Sequence, residues 1–519
     1  MKSLRRWMIV APVLACVGCG GENGGMESNV SWTPGLFLPS STFANRCISP
    51  RTGTDPTTGR AYPDVSGSTL TENNFLRSWT NELYLWYREV PDLDPAVYET
   101  SAYFDLLKTS ATTPSGSLKD RFHFTYATTE WVALSQSGVE AGYGAQWMII
   151  KSAPPRQVVV AFTEPNSPAT SPKANLARGA QVLAVDGVDM INANGSASVA
   201  TLNAGLYPSA AGVSHTFSIL DLGATAPRTI TMVSANVTST PVQNVKIIET
   251  HVGTVGYMLF NDHIATAEQL LLNAFDRLAA GGVDDLVLDI RYNGGGYIDI
   301  ASEVAYMVAG PAATAGRTFE KTMFNDKHPT TNPFTGGQLT PIPFHSTSQG
   351  FSAARGRTLP SLNLARVAVL TSANTCSAAE SIINSLRGVG VKVIEIGSTT
   401  CGKPYGFYPQ DNCGTTYFSI MFQGVNDRGF GDYPDGFSPA NAGGAVGVSL
   451  PGCSVADDFT HALGDLSEGR LSAALGYLAG KDCPERAAAV SVPGVTRAVS
   501  ATDGRLYRSP WRENRIFRY

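Results

Sequence analysis

The 519-residue chain lacks any surplus of positive charge: 38 Lys and Arg face 43 Asp and Glu, for a formal net charge of -5. Without a basic excess there is no electrostatic reason to expect a nucleic-acid partner. Long apolar runs are also missing. Beyond the N-terminal stretch no segment approaches the ~18 uninterrupted apolar residues of a membrane-spanning helix. A third absence is the Gly-x-Ser-x-Gly turn that carries the nucleophile of α/β esterases, which disfavours that class. No residue pattern calls for a cofactor or a metal ion, and none is expected.

What is present begins at the N-terminus. Lys2, Arg5 and Arg6 precede a short apolar stretch from Trp7 to Cys16, which reads as an export signal too short for a stable anchor. It closes on Leu14-Ala15-Cys16-Val17-Gly18-Cys19, which resembles a bacterial lipobox over residues 1–19. Gly18 and the glycine-rich spacer that follows favour lipidation at Cys19, with Cys16 as the alternative, and a plain cleaved signal peptide is the rival reading. No Asp follows either cysteine. The expected location is therefore the periplasmic side of the cell envelope, as an outer-membrane lipoprotein that contacts the membrane through its lipid. Six cysteines remain, Cys47, Cys376, Cys401, Cys413, Cys453 and Cys483, and an even number in an exported chain suggests disulfides. Proximity favours Cys401 with Cys413 and Cys453 with Cys483. Cys376 and Cys401 flank reactive candidates, so either is an alternative staple for the site itself.

Residues 20–70 are rich in Gly, Ser, Thr and Pro and are expected to be tether and loop. In 71–137 the pattern turns helical: Phe75, Leu76, Trp79, Leu83, Trp86 and Tyr87 recur at helical spacing behind Thr71 as N-cap, and a second helix is expected near Tyr103 to Lys108. From 238 to 485 strands and helices alternate. Strands are expected at Val255–Phe260, Leu286–Ile290 and Val367–Leu370, and helices at Ala267–Leu278, Ile298–Val308 and Ser377–Leu386. That order argues an α/β core with a largely parallel sheet. Residues 321–362 and 424–445 read as polar loops beside it, and 486–519 as an arginine-bearing tail, solvated or self-packed.

The chemistry-bearing segments lie in this core. Leu286-Val287-Leu288-Asp289-Ile290-Arg291-Tyr292-Asn293 runs into Gly294-Gly295-Gly296, a cluster whose backbone N–H groups suit an oxyanion hole, although a tight turn is the plainer reading of glycines alone. Further on stand Thr375-Cys376-Ser377-Ala378-Ala379-Glu380 and then Gly402-Lys403-Pro404. A serine at a helix start with a later lysine is a known way to activate a hydroxyl nucleophile.

Together these three segments resemble the S41 serine peptidases, the tail-specific or C-terminal processing protease family. The resemblance implies Ser377 as nucleophile, Lys403 as general base, the N–H groups of Ala378 and Gly295 as oxyanion hole, and Glu380 as organiser of the turn. A lysine serves as a base only when neutral, so its surroundings would have to bring it from ~10.4 toward ~7 to 8. A cysteine nucleophile at Cys376 is the weaker reading, because Ser377 holds the family's slot. His123, in Lys119-Asp120-Arg121-Phe122-His123-Phe124, is a candidate supporting residue, since some S41 branches take a base from this region; contact with Asp120 is its plainer role. Two positions depart from the family pattern: Phe407 stands where a glutamine often orients the lysine, and Gly388 where some members carry aspartate.

Residues 138–237 resemble a PDZ domain, through Ser167-Pro168-Ala169 and the string Leu176 to Gly187, with Ala180 in place of the usual aspartate. Gly142, Tyr143 and Gly144 then fall where such domains bind a peptide carboxylate. The resemblance spans roughly residues 70 to 485. It implies a multidomain α/β (α+β) protein with a helical N-terminal segment, a β-rich PDZ-like domain and an S41 core, acting on polypeptide substrates. The alternative is an impaired scaffold that binds peptides without cutting them.

Overall fold

The computed structural model describes residues 32–444 and 446–485 and the backbone of 515–516. Cys16, Cys19 and most of the 486–519 tail lie outside the described residues.

Helix α1, Thr69–Leu83, starts at Ser68 rather than at Thr71. The Ser68 side chain accepts the N–H of Thr71, and Thr71 Oγ1 accepts the N–H of Ser68, so the expected cap is the third residue of a capping box. Phe75, Leu76 and Trp79 turn inward, where they pack with Tyr103 and Phe104 of α2, Thr100–Leu106. Residues 32–70, expected as tether, are instead docked on this layer. Ser40 donates to Glu82 at 2.5 Å, and Cys47 is disulfide-bonded to Cys413. That bond overturns the expected Cys401–Cys413 pair: Cys401 joins Cys376, and only Cys453–Cys483 follows proximity. Sequence distance misled because Cys413 lies on a hairpin turn that faces the docked N-terminal segment.

After α3, Thr128–Ser137, the chain forms β1, Val139–Gly142, and then a separate antiparallel sheet. Its strands are β2 (Ala145–Lys151), β3 (Gln157–Thr163), β4 (Gln181–Val185), β5 (Ser214–Leu220) and β6 (Arg228–Val233), in the order β6-β5-β4-β3-β2. Helix α4, Ser196–Leu206, covers one face, and Val158, Val160, Val182, Val185, Leu202 and Phe217 make a core of their own. Strand β7, Ala235–Thr238, returns to pair with β1.

The central sheet follows. Strands β8 (Val242–Thr250), β9 (Gly253–Phe260), β10 (Asp285–Asp289), β11 (Arg366–Thr371), β12 (Lys392–Gly397) and β13 (Gly452–Ser454) lie in sequence order, antiparallel at β8–β9 and parallel thereafter. The near-continuous apolar runs of β9 to β12 are those of strands buried on both faces, whereas the edge strand β8 is largely polar and only partly covered. Alternate residues divide between two cores: Leu286, Leu288, Val367 and Val369 meet α5 (Ala267–Ala280), α6 (Ile298–Thr314) and α7 (Ala378–Gly388), while Val287, Ala368, Leu370 and Ile394 meet α8 (Gly469–Leu478). Helix α6 outruns its expected end at Val308 and turns at Gly310, φ 72°, before Pro311. Ligands of such sheets sit beyond the carboxyl ends of the strands, which is where β10 meets the glycine cluster and β11 meets Ser377.

A carboxyl pair fastens the long loop that follows α6. Glu268 accepts the backbone N–H groups of Gln349, Gly350, Ser352 and Ala353 at 2.7–2.8 Å, and Glu303 accepts that of Gln349 at 2.9 Å. Burial and the neighbouring Glu268 push Glu303 up to about 9 from 4.5. A proton held more tightly in the fold than in the unfolded chain stabilises fully below pH ~4.5, and this contribution is lost as pH rises toward ~9. Glu303→Gln should therefore match wild type in thermal melts near pH 5 and exceed it by about 2–4 °C or more near pH 9; a melting difference independent of pH would refute the raised Glu303 carboxyl.

Candidate active site

Ser377 is the junction between the loop after β11 and α7. Its backbone sits at φ 60°, ψ -118°, a conformation that costs a residue with a Cβ about 1–3 kcal/mol. Three contacts fix this turn from below: Ser372 Oγ donates to the carbonyl of Arg291, Thr375 Oγ1 to that of Ile290 at 2.9 Å, and the Cys376 N–H to that of Asn293 at 3.0 Å. The loop carrying the nucleophile candidate is thus sewn to the strand carrying the glycines. Ser377 is fully buried, and its Oγ has no hydrogen-bond partner among the described residues.

Glu380, one turn into α7, brings Lys403 to the same place. Its carboxylate accepts the N–H of Ser377 at 3.0 Å, those of Gly402 and Lys403 at 2.8 Å, and the Thr400 hydroxyl at 2.5 Å. Burial pushes this carboxyl above its ordinary range, and the four donors oppose the shift. The disulfide Cys376–Cys401 crosses the same gap. The Lys403 side chain is fully buried, its Nζ 4.6 Å from the ring centre of Phe122 and 4.5 Å from that of Phe407. Position 407 therefore touches the lysine through an aromatic face.

The glycine turn is equally constrained. Gly295 and Gly296 adopt φ 100° and 135°, and a Cβ on Gly296 would lie 2.5 Å from the carbonyl oxygen of His263. The N–H of Gly295 donates to Asn293 Oδ1 at 2.9 Å, so the amide expected in the oxyanion hole is engaged by a side chain in this structure. Ala378 is the first residue of α7, where helix geometry leaves an N–H without an intrahelical acceptor. The backbone of 515–516 pairs in parallel with Gly296–Tyr297 and so lies along this turn.

His123 is engaged by Phe104 and Asp120. Its ring stacks on Phe104 with centres 3.8 Å apart, its Nε2 is 2.8 Å from the Phe104 carbonyl, and its Nδ1 is 3.7 Å from Asp120. Its neighbour Phe122 is the residue that meets Lys403. Two further residues carry the site without having been singled out. Asn293 Oδ1 lies 2.9 Å from His263 Nδ1 as well as from the Gly295 N–H, and its Nδ2 donates to the Phe260 carbonyl at 2.9 Å. Asn293 stood inside the quoted motif; His263, isolated before α5, gave no signal. At position 388 a Cβ would come 3.0 Å from the Asn426 side chain, so a larger residue there would have to displace Asn426 by a few tenths of an ångström.

Beside this centre lies a groove lined by Gly142, Tyr143, Gly144, Gln146, Trp147 and Leu206. Strand β2 is the edge of its sheet, and Trp147 Nε1 donates to the Leu206 carbonyl at 3.0 Å, which sets the strand against the end of α4. The carbonyls of Tyr143 and Gly144 are turned into the protein, to the N–H groups of Ala169 and Glu164. Tyr143 packs edge-on against Phe217 and is buried, so its ring belongs to the core. Ile264, next to His263, also lines the groove and links it to the glycine turn.

Comparison with known proteins bears on residues 252–406, which match the model of peptidase family S41. A carboxyl-terminal-processing protease of Picosynechococcus sp. is 30% identical over 178 residues, covering 33% of this chain and 39% of that protein, so the match spans about two fifths of its length. An S41 protease structure from Bacteroides fragilis shares the fold over 81% of this chain and 98% of its own, with a TM-score of 0.58 and 22% identity. A photosystem II D1 C-terminal processing protease aligns more loosely, over 74% of this chain and 94% of its own, with a TM-score of 0.42 and 18% identity. The matched segment contains the glycine turn, Ser377, Glu380 and Lys403, and the chain accordingly carries a peptidase family S41 domain.

Proposed function

We propose that this protein is an exported serine-type endopeptidase that hydrolyses polypeptides through Ser377 and Lys403. The observation that carries the reading is the Glu380 carboxylate, which holds the backbone N–H of both residues at 2.8–3.0 Å and so joins a strained, buried serine to a buried lysine. Ser377 Oγ attacks the scissile carbonyl, and the neutral amine of Lys403 takes its proton and returns it to the leaving nitrogen. The developing oxyanion is met by the Ala378 N–H and by an amide of the glycine turn. Gly295 can be that amide only once Asn293 releases it. Water then hydrolyses the acyl-enzyme.

The groove beside β2 supports capture of a peptide end. An extended peptide that adds to this edge strand would bring its carboxylate to the Gly142-Tyr143-Gly144 loop, the mode of a PDZ domain. From there the chain would pass Ile264 toward Gly296–Tyr297, taking the place that 515–516 holds. Export through residues 1–19 and lipidation at Cys19, or Cys16, belong to the same proposal, which places the enzyme on the periplasmic side of the envelope.

Two measurements test this. Ser377→Ala and Lys403→Ala should each lower kcat on an unfolded polypeptide by roughly a thousandfold or more, with far-UV circular dichroism unchanged; undiminished hydrolysis in either variant removes that residue from the mechanism. Amidating the C-terminus of a peptide substrate should raise KM about tenfold or more, the worth of a charge-assisted hydrogen-bond set, and equal KM values for free and amidated peptides would sink carboxylate capture.

A further inference from the structure

The disulfide Cys376–Cys401 joins the residue before Ser377 to a residue two positions before Lys403, closing a 25-residue separation that runs through α7 and β12. Its two ends are anchored unequally. Cys376 is fully buried and held through its N–H by the Asn293 carbonyl and, behind it, by the Thr375 and Ser372 contacts to the end of β10. Cys401 is partly exposed and lies in an irregular segment between β12 and Lys403. That segment is tied back by the Cys401 N–H to the Thr375 carbonyl at 3.0 Å, by Arg121 to the Cys401 carbonyl, and by Glu380. At position 407 a phenyl ring packs against the lysine amine, 4.5 Å from ring centre to Nζ.

We propose that Cys376–Cys401 is a positioning element of the catalytic pair, so that the oxidised chain is the active form and the dithiol form is latent. This rests on the Ser377–Lys403 reading. Two unbonded sulfurs sit about 3.5–4 Å apart, well beyond a covalent bond. Reduction therefore lengthens that contact, and the strain falls on the irregular segment carrying Lys403, against its bonds to Glu380, because Cys401 is partly exposed whereas Cys376 is fully buried and sewn to the end of β10. A misplacement of about 1 Å between reacting groups can cost on the order of 100-fold in rate. The redox step balances with a dithiol: two electrons and two protons pass to the bridge, leaving two cysteine thiols, while the dithiol closes to its own disulfide. Glutathione disulfide runs the reverse. A chain still in a reducing compartment would thus be silent, and oxidation after export would complete the site.

The test compares full-length wild type, C376A/C401A and C453A/C483A on an unfolded polypeptide. We expect C376A/C401A to lose about 100-fold in kcat with KM within about twofold, and to show the same loss in the rate at which a fluorophosphonate labels Ser377. C453A/C483A should keep kcat within about threefold. Wild type poised in glutathione buffers should lose and regain activity in step with the Cys376 and Cys401 thiols, read by mass spectrometry, and this measurement decides the matter should C376A/C401A fail to fold. Activity that tracks another cysteine pair, or C376A/C401A with kcat within about threefold of wild type, overturns the positioning role. A failure of the underlying reading looks different: wild type and Ser377→Ala would be equally inactive in both redox states.

Discussion

The site depends on one buried carboxylate. Glu380 faces four donors, from Ser377, Thr400, Gly402 and Lys403, which fill the acceptor capacity of two oxygens. Each N–H left unpaired in such a place costs about 1–3 kcal/mol, so neither the Ser377 loop nor the Lys403 loop can move away without loss. The same bonds explain how Ser377 keeps its strained backbone. The Ser377 N–H finds its acceptor, the Glu380 carboxylate, in this conformation, which offsets part of the strain. Burial works against the charge on Glu380, and the donors are what make a carboxylate tolerable there.

Beneath this clamp the central sheet sets the distances. Strands β10 and β11 are hydrogen-bonded neighbours, so their carboxyl ends deliver the glycine turn and the serine turn side by side. The charged residues of the glycine motif hold up the end of β10. Arg291, fully buried, pairs with Asp289 at 2.9 Å, Asp457 at 2.8 Å and Glu468 at 2.6 Å, and Arg178 of the antiparallel unit reaches Asp457 at 2.6 Å. Burial opposes ionisation of Asp457, but Arg470, Arg291 and Arg178 hold its carboxyl well below the usual range. Removing one member would strand buried charge, at a cost of about 3–5 kcal/mol. The cluster thereby ties the groove-bearing unit to the domain that holds Ser377.

Local pattern made the central sheet legible. Short apolar runs such as Leu286-Val287-Leu288 and Val367-Ala368-Val369-Leu370 suit strands covered on both sides, which they form, and the helices between them appear where expected. The motif residues also converge in space, because strand order follows chain order from β8 to β13. What pattern could not show is what depends on contacts between distant segments. Thr71 looked like a cap because Ser68 gives the same local signal; Cys413 looked paired to Cys401 because Cys47 is 366 residues away. Residues 32–70 have the composition of a tether, and it is the bonds to Glu82 and Cys413 that dock them. His263 and Asn293 support the glycine turn through a side-chain contact across 30 residues, which no periodicity announces.

The exchange of glutamine for Phe407 has a consequence for how the lysine is placed. A carboxamide fixes an amine by direction, through a hydrogen bond of defined angle. Rings fix it by volume and by the electrostatics of their faces, which tolerate rotation about the side chain. With Phe122 and Phe407 both within 4.6 Å of Nζ, the end of the side chain is confined, but its three hydrogens are not oriented by these contacts. The backbone of residues 400–403 sets where that side chain begins. That backbone is fixed by Glu380, by Thr400 and by the bridge to Cys376, all of which act before the lysine side chain begins. The disulfide and the four-donor carboxylate thus make the loop rigid upstream of Lys403, while Phe122 and Phe407 confine the far end of its side chain.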